Sequence, residues 1–319
     1  MDATAGMFHY KFMKKNLILI SLDTVRADVA YTGKFPAIES LREKGVTFLN
    51  TISSAPLTPP SHATVLTGLQ PVHHEIRHLF KEKLKGAVPT LAEILKEDGY
   101  QTGAIVSCPG MNRWYGFSRG FDHYDDVIPR LSDGSDPLKT VDVKKRGTAL
   151  KRADLVVRKA NDWLDKRHKG PFFLFVHFFD AHWPYEAPEK FGGANPYEEE
   201  IAYTDHYLHS FLDRLEKEGI LKDSTVVCFS DQGEDLEGWY PNDKGGEELG
   251  HPEEVGHGCL LYEQTQKVVL IISDSTLPSK KQIEQQVRLV DITPTILMLL
   301  GIQAQDKKFD GVSLLPAVA

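Results

Sequence analysis

Acidic and amide side chains stand directly after apolar segments at separate points of the chain. Asp23 follows the apolar run of residues 16–22, and Asp231 and Gln232 follow the run of residues 225–229. Carboxylates that are brought together repel one another, so a cluster of this kind needs a cation. Oxygen ligands suit Ca²⁺, Mg²⁺ or Mn²⁺ better than Zn²⁺. The alternative for each acid taken alone is a helix cap or a turn residue.

A threonine in the segment Ser54–Gly68 is placed to act as a nucleophile. Two prolines follow Thr58 and predict extended backbone there, because the residue before a proline is pushed out of the α region. Ser61 is predicted to cap a short helix over residues 62–66, which Gly68 ends. The Thr58 hydroxyl would then face backbone N–H groups that favour an anion, and could complete the metal ligands. A proline-rich loop with a capped helix is the alternative.

Two histidines are candidates for proton transfer. His182 follows Asp180 at the end of the apolar run 171–179, and His257 lies between two glycines. A histidine with a reference pKa near ~6.5 can act as a general acid toward an alkoxide leaving group. Either histidine could instead be a satisfied structural residue. Three further histidines are expected to be plain surface residues: His73, His74 and His78.

Alternating strands and helices must position these residues. Continuous apolar runs favour strands that are buried on both faces of a parallel sheet. The alternation predicts an α/β fold with a mostly parallel central sheet flanked by helices on both faces. Strands are expected over residues 16–22, 46–49, 102–107, 171–179, 225–229 and 268–273, helices over 35–44, 88–99, 151–168, 196–218 and 287–300 (broken near Pro294), and loops over 112–147 and 236–254.

Composition excludes several classes of protein. The chain has 319 residues, of which 41% are hydrophobic, and a net charge of -8. That charge argues against nonspecific nucleic-acid binding but leaves room for a small anionic ester as substrate. No stretch approaches the ~20 apolar residues of a membrane span, and no signal peptide is recognisable. Three cysteines without metal-site or disulfide spacing favour a reducing, cytoplasmic compartment: Cys108, Cys228 and Cys259.

Together the motifs resemble those of the sulfatase family, within the alkaline phosphatase superfamily. They occur in the family's order from about residue 16 to residue 316. The resemblance implies one catalytic domain over residues 16–316 after an N-terminal extension of residues 1–15, with the family's smaller C-terminal subdomain reduced or absent. The segments that carry it are residues 19–28 (LISLDTVRAD), 58–68 (TPPSHATVLTG), 178–185 (FFDAHWPY), 230–234 (SDQGE), 256–263 (GHGCLLYE), 291–295 (DITPT) and 310–314 (DGVSL).

The resemblance implies a metal-dependent hydrolase of phosphate or sulfate esters, or a related phosphodiesterase. By match, the residues that hold the divalent metal are Asp23, Asp231 and Gln232, together with Thr58 as nucleophile. His182 and His257 would contact the ester oxygens or protonate the leaving group, and Asp180 could hold a second metal. Substrate-binding candidates are His62 and Arg26; orienting the loop or pairing with Asp28 are the alternatives for Arg26.

The chain also departs from the family pattern. Sulfatases that use formylglycine carry Cys or Ser where this chain has Thr58, and Arg where it has His62. A threonine cannot become that aldehyde, whereas a threonine nucleophile occurs in phosphoester-cleaving relatives. Phosphomonoester or phosphodiester hydrolysis is therefore favoured. The alternatives are a sulfuric ester hydrolase without formylglycine and, because Gln232 replaces the usual His or Asn, an inactive sulfatase-like binding protein.

Overall fold

The structure is a computed structural model that describes residues 14–79, 81–130, 134–136, 139, 150–168, 170–236, 238–241, 243, 255–304 and 307–318. Residues 1–13 of the expected N-terminal extension lie outside these ranges. So do much of the expected loop at 112–147 and most of the one at 236–254. No helix within the described ranges is both long and apolar enough to cross a bilayer.

One mixed sheet organises the chain. Its strands are β1 (Asn16–Leu22), β2 (Val46–Ile52), β3 (Gln101–Ile105), β4 (His123–Asp125), β5 (Phe172–Phe178), β6 (Ser224–Phe229), β7 (Lys267–Val268), β8 (Leu270–Ser273) and β9 (Lys281–Arg288). Strand β1 lies near the middle of the sheet, between β5 and β6 and parallel to both. The spatial order is β4-β3-β5-β1-β6-β8-β2-β7, with β9 beside β2.

Strand β8 determines where the segment after β2 lies. It pairs antiparallel with β6 on one side and antiparallel with β2 on the other. Two reversals restore the original direction, so β2 runs the same way as β6 and β1. The carboxyl ends of β1, β2 and β6 therefore lie along the same edge of the sheet, where open α/β sheets bind ligands.

Helices cover both faces of the sheet, as the sequence predicts. Alternate residues of β1 enter different cores: Leu17 and Leu19 face one, Ile18 and Ile20 the other. The first core includes α3, α5 and α9, and the second includes α2, α6 and α7. The helices are α1 (Ala27–Ala30), α2 (Pro36–Lys44), α3 (Thr58–Thr67), α4 (Pro71–His74), α5 (Leu91–Glu97), α6 (Ala153–Lys166), α7 (Pro196–Lys217), α8 (Glu263–Gln266), α9 (Ile292–Leu299) and α10 (Leu315–Val318).

Helix α3 begins earlier than its sequence predicts. Thr58 is its first residue, and the extended residue before it is Leu57, with φ -147° and ψ 131°. The two prolines fit the first turn because their missing N–H groups would have no partner inside the helix. Ser61 is therefore not a cap; its hydroxyl donates to the carbonyl of Asp231 at 2.8 Å. Gly68 ends the helix in the left-handed region, as predicted, with φ 67°.

The predicted helix over residues 287–300 was partly wrong. Val287 belongs to strand β9, and the α-helix starts only at Ile292, so Pro294 lies in its first turn and does not break it. Strand β9 escaped notice because only Ile283 and Val287 of its residues are buried, which gives no apolar run. Strand β4 likewise lies where only a loop was expected.

His74 is not a surface residue, contrary to expectation. Its side chain is buried under α3. Nδ1 accepts the backbone N–H of Ile76 at 3.1 Å, and Nε2 lies 3.0 Å from the Thr64 hydroxyl. His73 and His78 are exposed, as expected.

Candidate active site

The carboxylates expected at the ends of β1 and β6 lie next to each other. Both strands are parallel neighbours, and the backbone N–H of Thr24 donates to Asp231 Oδ1 at 3.2 Å. Thr24 adopts a left-handed conformation, with φ 57°, which is rare for a β-branched residue and is found where a site demands it. This turn holds Asp23 against Asp231.

Thr58 reaches the same place from strand β2. The side-chain amide of Gln232 donates to Thr58 Oγ1 at 3.3 Å, and the Thr58 hydroxyl also lies against the Asp23 carboxyl. The hydroxyls of Ser53 and Ser61 both donate to the carbonyl of Asp231 and so tie the two loops together. Asp23, Thr58, Asp231 and Gln232 therefore form one cluster.

Several buried oxygens of the cluster have no hydrogen-bond partner among the residues that the structure describes. Leaving a buried acceptor unpaired costs about 1–3 kcal/mol, and more for a charged group. Burial raises the pKa of Asp23 to about 7, although the charge of His257 lowers it. Burial and the neighbouring Asp23 also raise the pKa of Asp231. A divalent cation would offset both costs, and the cluster's oxygens that lack a partner among the described residues are Asp23 Oδ1, Asp231 Oδ2 and Gln232 Oε1.

Glu234 is a site residue that the sequence analysis left without a role. Its carboxylate is buried, and Oε1 lies 2.8 Å from His257 Nδ1. Burial disfavours the charged imidazole, but Glu234, Asp23 and Asp231 outweigh it and raise the pKa of His257 to about 9. The spacing of three residues from Asp231 was the available signal. His257 is therefore an imidazolium that donates to Glu234.

The surroundings of His182 favour the neutral ring, in contrast to those of His257. Its ring stacks on Phe179 at 4.2 Å and lies edge-on to His257 at 5.2 Å. Burial and the positive charge of His257 lower the pKa of His182 to about 4. Nδ1 donates to the carbonyl of Trp183 at 2.7 Å, since a carbonyl can only accept, and Nε2 keeps its lone pair. The two environments shift the pKa values of His257 and His182 in opposite directions, as is typical of an acid and base pair.

His62 lies behind Thr58 and is not exposed to solvent. It is fully buried, and its Nδ1 donates to the Thr58 carbonyl at 2.8 Å while Ser21 Oγ donates to Nε2 at the same distance. Burial lowers its pKa well below the usual range, so the ring is neutral. Its contacts hold the backbone of the first turn of α3.

Arg26 both pairs with Asp28 and holds a loop, which were the two alternatives expected from the sequence. Its guanidinium makes a two-pronged ion pair with Asp28, at 2.7 and 3.0 Å, and donates to the Glu234 carbonyl at 3.3 Å. The side chain is only 2% exposed and lies over the Tyr240 ring. These contacts hold the loop that carries Glu234.

Asp180 binds the start of helix α6. Its Oδ1 accepts the backbone N–H of Ala153 at 3.1 Å and lies 3.6 Å from Arg152, which also binds Glu200. Burial raises the pKa of Asp180 to about 7, and no described residue is a hydrogen-bond partner of Oδ2. None of its contacts is with Asp23, Asp231 or Gln232, so the structure does not bring it into the cluster.

A family model described as Sulfatase matches residues 15–302, so the chain belongs to the sulfatase family of ester-hydrolysing enzymes. It is 24% identical to arylsulfatase D of Homo sapiens, in an alignment covering 95% of this chain and 68% of that protein. It is 23% identical to N-acetylgalactosamine-6-sulfatase of Mus musculus, covering 95% and 66%. The chain thus spans about two thirds of the length of these relatives.

Solved structures share the fold. The phosphonate monoester hydrolase of Agrobacterium radiobacter superposes with a TM-score of 0.71 at 19% identity, over 96% of this chain and 77% of that one. A structure of Ps i-CgsB with k-i-k-neocarrahexaose gives a TM-score of 0.70 at 24% identity, over 96% and 76%. These likenesses confirm the predicted α/β architecture, and the family model confirms the predicted family.

Proposed function

We propose that this chain is a metal-dependent hydrolase of phosphate esters, mono- or diesters, with Thr58 as the nucleophile. The observation that carries the proposal is the position of Thr58 Oγ1. It accepts the side-chain N–H of Gln232 at 3.3 Å. Beside it lie Asp23 Oδ1 and Asp231 Oδ2, which have no hydrogen-bond partner among the described residues. A hydroxyl held among potential metal ligands is how such enzymes activate a weak nucleophile.

The cation would be held by Asp23, Asp231, Gln232 and Thr58. Their oxygens are hard donors, which suit Ca²⁺, Mg²⁺ or Mn²⁺. When bound, a divalent cation supplies the positive charge that favours the Thr58 alkoxide and offsets the charge of the phosphoryl group. Thr24 would hold the Asp231 carboxylate in place through its backbone N–H, and Arg26 would hold the loop that follows Gln232.

The two histidines would handle the protons. Thr58 Oγ1 bonds to phosphorus as the bond to the leaving oxygen breaks, and its proton passes to the neutral Nε2 of His182. His257, held by Glu234, gives its Nε2 proton to the leaving oxygen. Water then attacks the phosphothreonine, its proton returns to His257, and His182 reprotonates Thr58. Every group ends in its starting state.

A sulfate ester is the second candidate substrate, because the curated relatives are named as sulfatases. The deciding experiment offers the purified protein an aryl phosphodiester, an aryl phosphomonoester and an aryl sulfate, each with Mg²⁺, Mn²⁺, Ca²⁺ or Zn²⁺. We expect turnover of a phosphate ester to exceed that of the sulfate. Faster sulfate hydrolysis would overturn the phosphoester proposal, and no hydrolysis at all would favour a binding protein.

Metal binding should be visible in thermal melts. A ligand that binds only the native state adds about 2.7 kcal/mol to the free energy of unfolding at about a hundredfold excess over Kd. We expect the melting temperature to fall in EDTA and to recover with an added divalent cation. An unchanged melt, together with no metal in elemental analysis, would contradict the proposed site.

Replacing Glu234 should move the pH dependence of catalysis. Burial lowers the pKa of His257, but the Glu234 carboxylate raises it, so the imidazolium that Glu234 favours is lost as the pH rises through the raised value. In Glu234→Gln the negative charge is gone and that pKa falls. We expect the basic limb of kcat to move to lower pH at a fixed saturating metal concentration.

The matched control for this shift is Glu216→Gln. Glu216 is an exposed carboxylate on α7 that pairs with Lys44 at 2.7 Å and has no histidine partner. Its pH profile should match that of the unaltered protein. A basic limb that stays in place in Glu234→Gln would remove His257 from the role of acid.

A further inference from the structure

His177 is a buried histidine of strand β5 to which the proposed mechanism gives no task. The backbone N–H of Ser107 lies 3.2 Å from its Nδ1, and Asp23 Oδ2 lies 3.2 Å from its Nε2. A backbone N–H can only donate, so Nδ1 must carry the lone pair. The proton of the neutral ring is then on Nε2, and it is donated to Asp23.

We propose that His177 is the positioning residue for Asp23. Its Nε2–H holds Oδ2 and thereby leaves Oδ1, which has no partner within the described part of the chain, as the oxygen that binds the metal. The inference deepens the proposed function and depends on its metal site. A donor that fixes a ligating carboxylate typically changes metal affinity about ten- to hundredfold.

The partner of Nδ1 is itself held in place. Lys151 N–H donates to the Ser107 carbonyl at 2.7 Å, and the Ser107 hydroxyl donates to the Lys151 carbonyl. The His62 ring packs edge-on against His177, with 5.0 Å between centroids. His177 therefore cannot turn without breaking several contacts, which keeps its donor aimed at Asp23.

A direct ligand role for His177 is the competing interpretation. Asp23, Cys108 and His177 offer one donor atom each within 4.8 Å of one another, as a softer metal would require. Both ring nitrogens of His177 already have partners, however, and ligation would have to break the bond to Ser107 or to Asp23. A positioning role, in contrast, keeps the hydrogen bonds of the ring to both Ser107 and Asp23.

Two substitutions separate the donor from the rest of the side chain. In His177→Gln the amide nitrogen reaches about as far as Nε2 and can still donate to Asp23. In His177→Asn the amide ends near the position of Nδ1, so it can satisfy Ser107 but not Asp23. We expect Mn²⁺ affinity, measured by calorimetry on the chelator-treated protein, to fall about ten- to hundredfold in His177→Asn and only a few-fold in His177→Gln.

His74 supplies the matched control. It is equally buried, accepts a backbone N–H at Nδ1 and faces an oxygen with Nε2, but that oxygen belongs to Thr64. His74→Asn should lower the melting temperature without changing Mn²⁺ affinity. Equal affinities in His177→Asn and His177→Gln, or an equal loss in His74→Asn, would overturn the proposal.

Nitrogen NMR of the histidine-labelled protein tests the same point without substitution of the ring. We expect the His177 signal, assigned by its loss in His177→Gln, to report Nε2–H with and without Mg²⁺. Loss of that proton on metal addition would make His177 a ligand and overturn positioning. An unaltered protein that binds no metal while His177 still shows Nε2–H bonded to Asp23 would refute the proposed function and limit His177 to ordering Asp23.

Discussion

Thr58→Ala is expected to lower phosphoesterase turnover by about a thousandfold or more, because it removes the nucleophile itself. The fold should survive, since Thr58 starts α3 and its backbone contacts do not need the hydroxyl. Metal affinity should fall only in part, because Asp23 and Asp231 remain. Steady-state kinetics and calorimetry on the same preparation measure both quantities.

Matched variants at this position sharpen the test. Thr58→Ser keeps the hydroxyl and should retain measurable activity. Enzyme quenched during turnover should carry a phosphate on the peptide that contains Thr58, visible by mass spectrometry. Ordinary turnover by Thr58→Ala would end the proposal and point to water as the direct attacking group.

Asp231→Asn should have the second largest effect, a loss of metal affinity of more than about a hundredfold. Without metal the same change should stabilise the protein at neutral pH. Burial raises the pKa values of both Asp23 and Asp231, so the metal-free protein loses stability as the pH rises through the raised values. Removing one charge relieves that loss.

Melting curves of the metal-free proteins at several pH values test whether Asp231→Asn stabilises the protein when no metal is bound. Asp231→Asn should melt above the unaltered protein at pH 8, and the difference should shrink toward pH 5. Asp274→Asn is the control, because Asp274 is a buried acid whose pKa is lowered: burial raises it, but contacts with Lys15, Thr225 and Thr276 outweigh that effect. It should melt lower and keep its metal response. A lower melt for metal-free Asp231→Asn at pH 8 would contradict the account.

The sequence predicted the positions of the clustered carboxylates best, because each of them follows a continuous apolar run. Asp23 and Asp231 follow continuous apolar runs, and a run of that kind fixes both the strand and its end. The prediction that Ser61 caps the helix was wrong. The capping preference of serine competed with the preference of the two prolines for the first turn of a helix, and both were compatible with the sequence. Tertiary contacts decided between them.

Other residues could not have been placed from the sequence. His177 stands inside an apolar strand, and nothing local indicates that Ser107 and Asp23 lie on either side of its ring. Glu234 belongs to a recognised motif, yet its partner His257 is 23 residues away. His74 and strand β9 have polar neighbours in sequence, yet His74, Ile283 and Val287 are buried. Each of these positions depends on tertiary contacts.

The pairing of β1 with β6 sets when the metal can be acquired during synthesis. The contact between Thr24 and Asp231 spans 207 residues. At about 5–20 residues per second, the ribosome needs roughly 10–40 s to make that stretch. Until β6 leaves the ribosome and docks, Asp23 stands at the end of a nascent strand without the other carboxylate, and no high-affinity chelate exists. In the proposed site, metal loading must therefore follow the docking of β6, and β1 and β5 must pair without help from the ion.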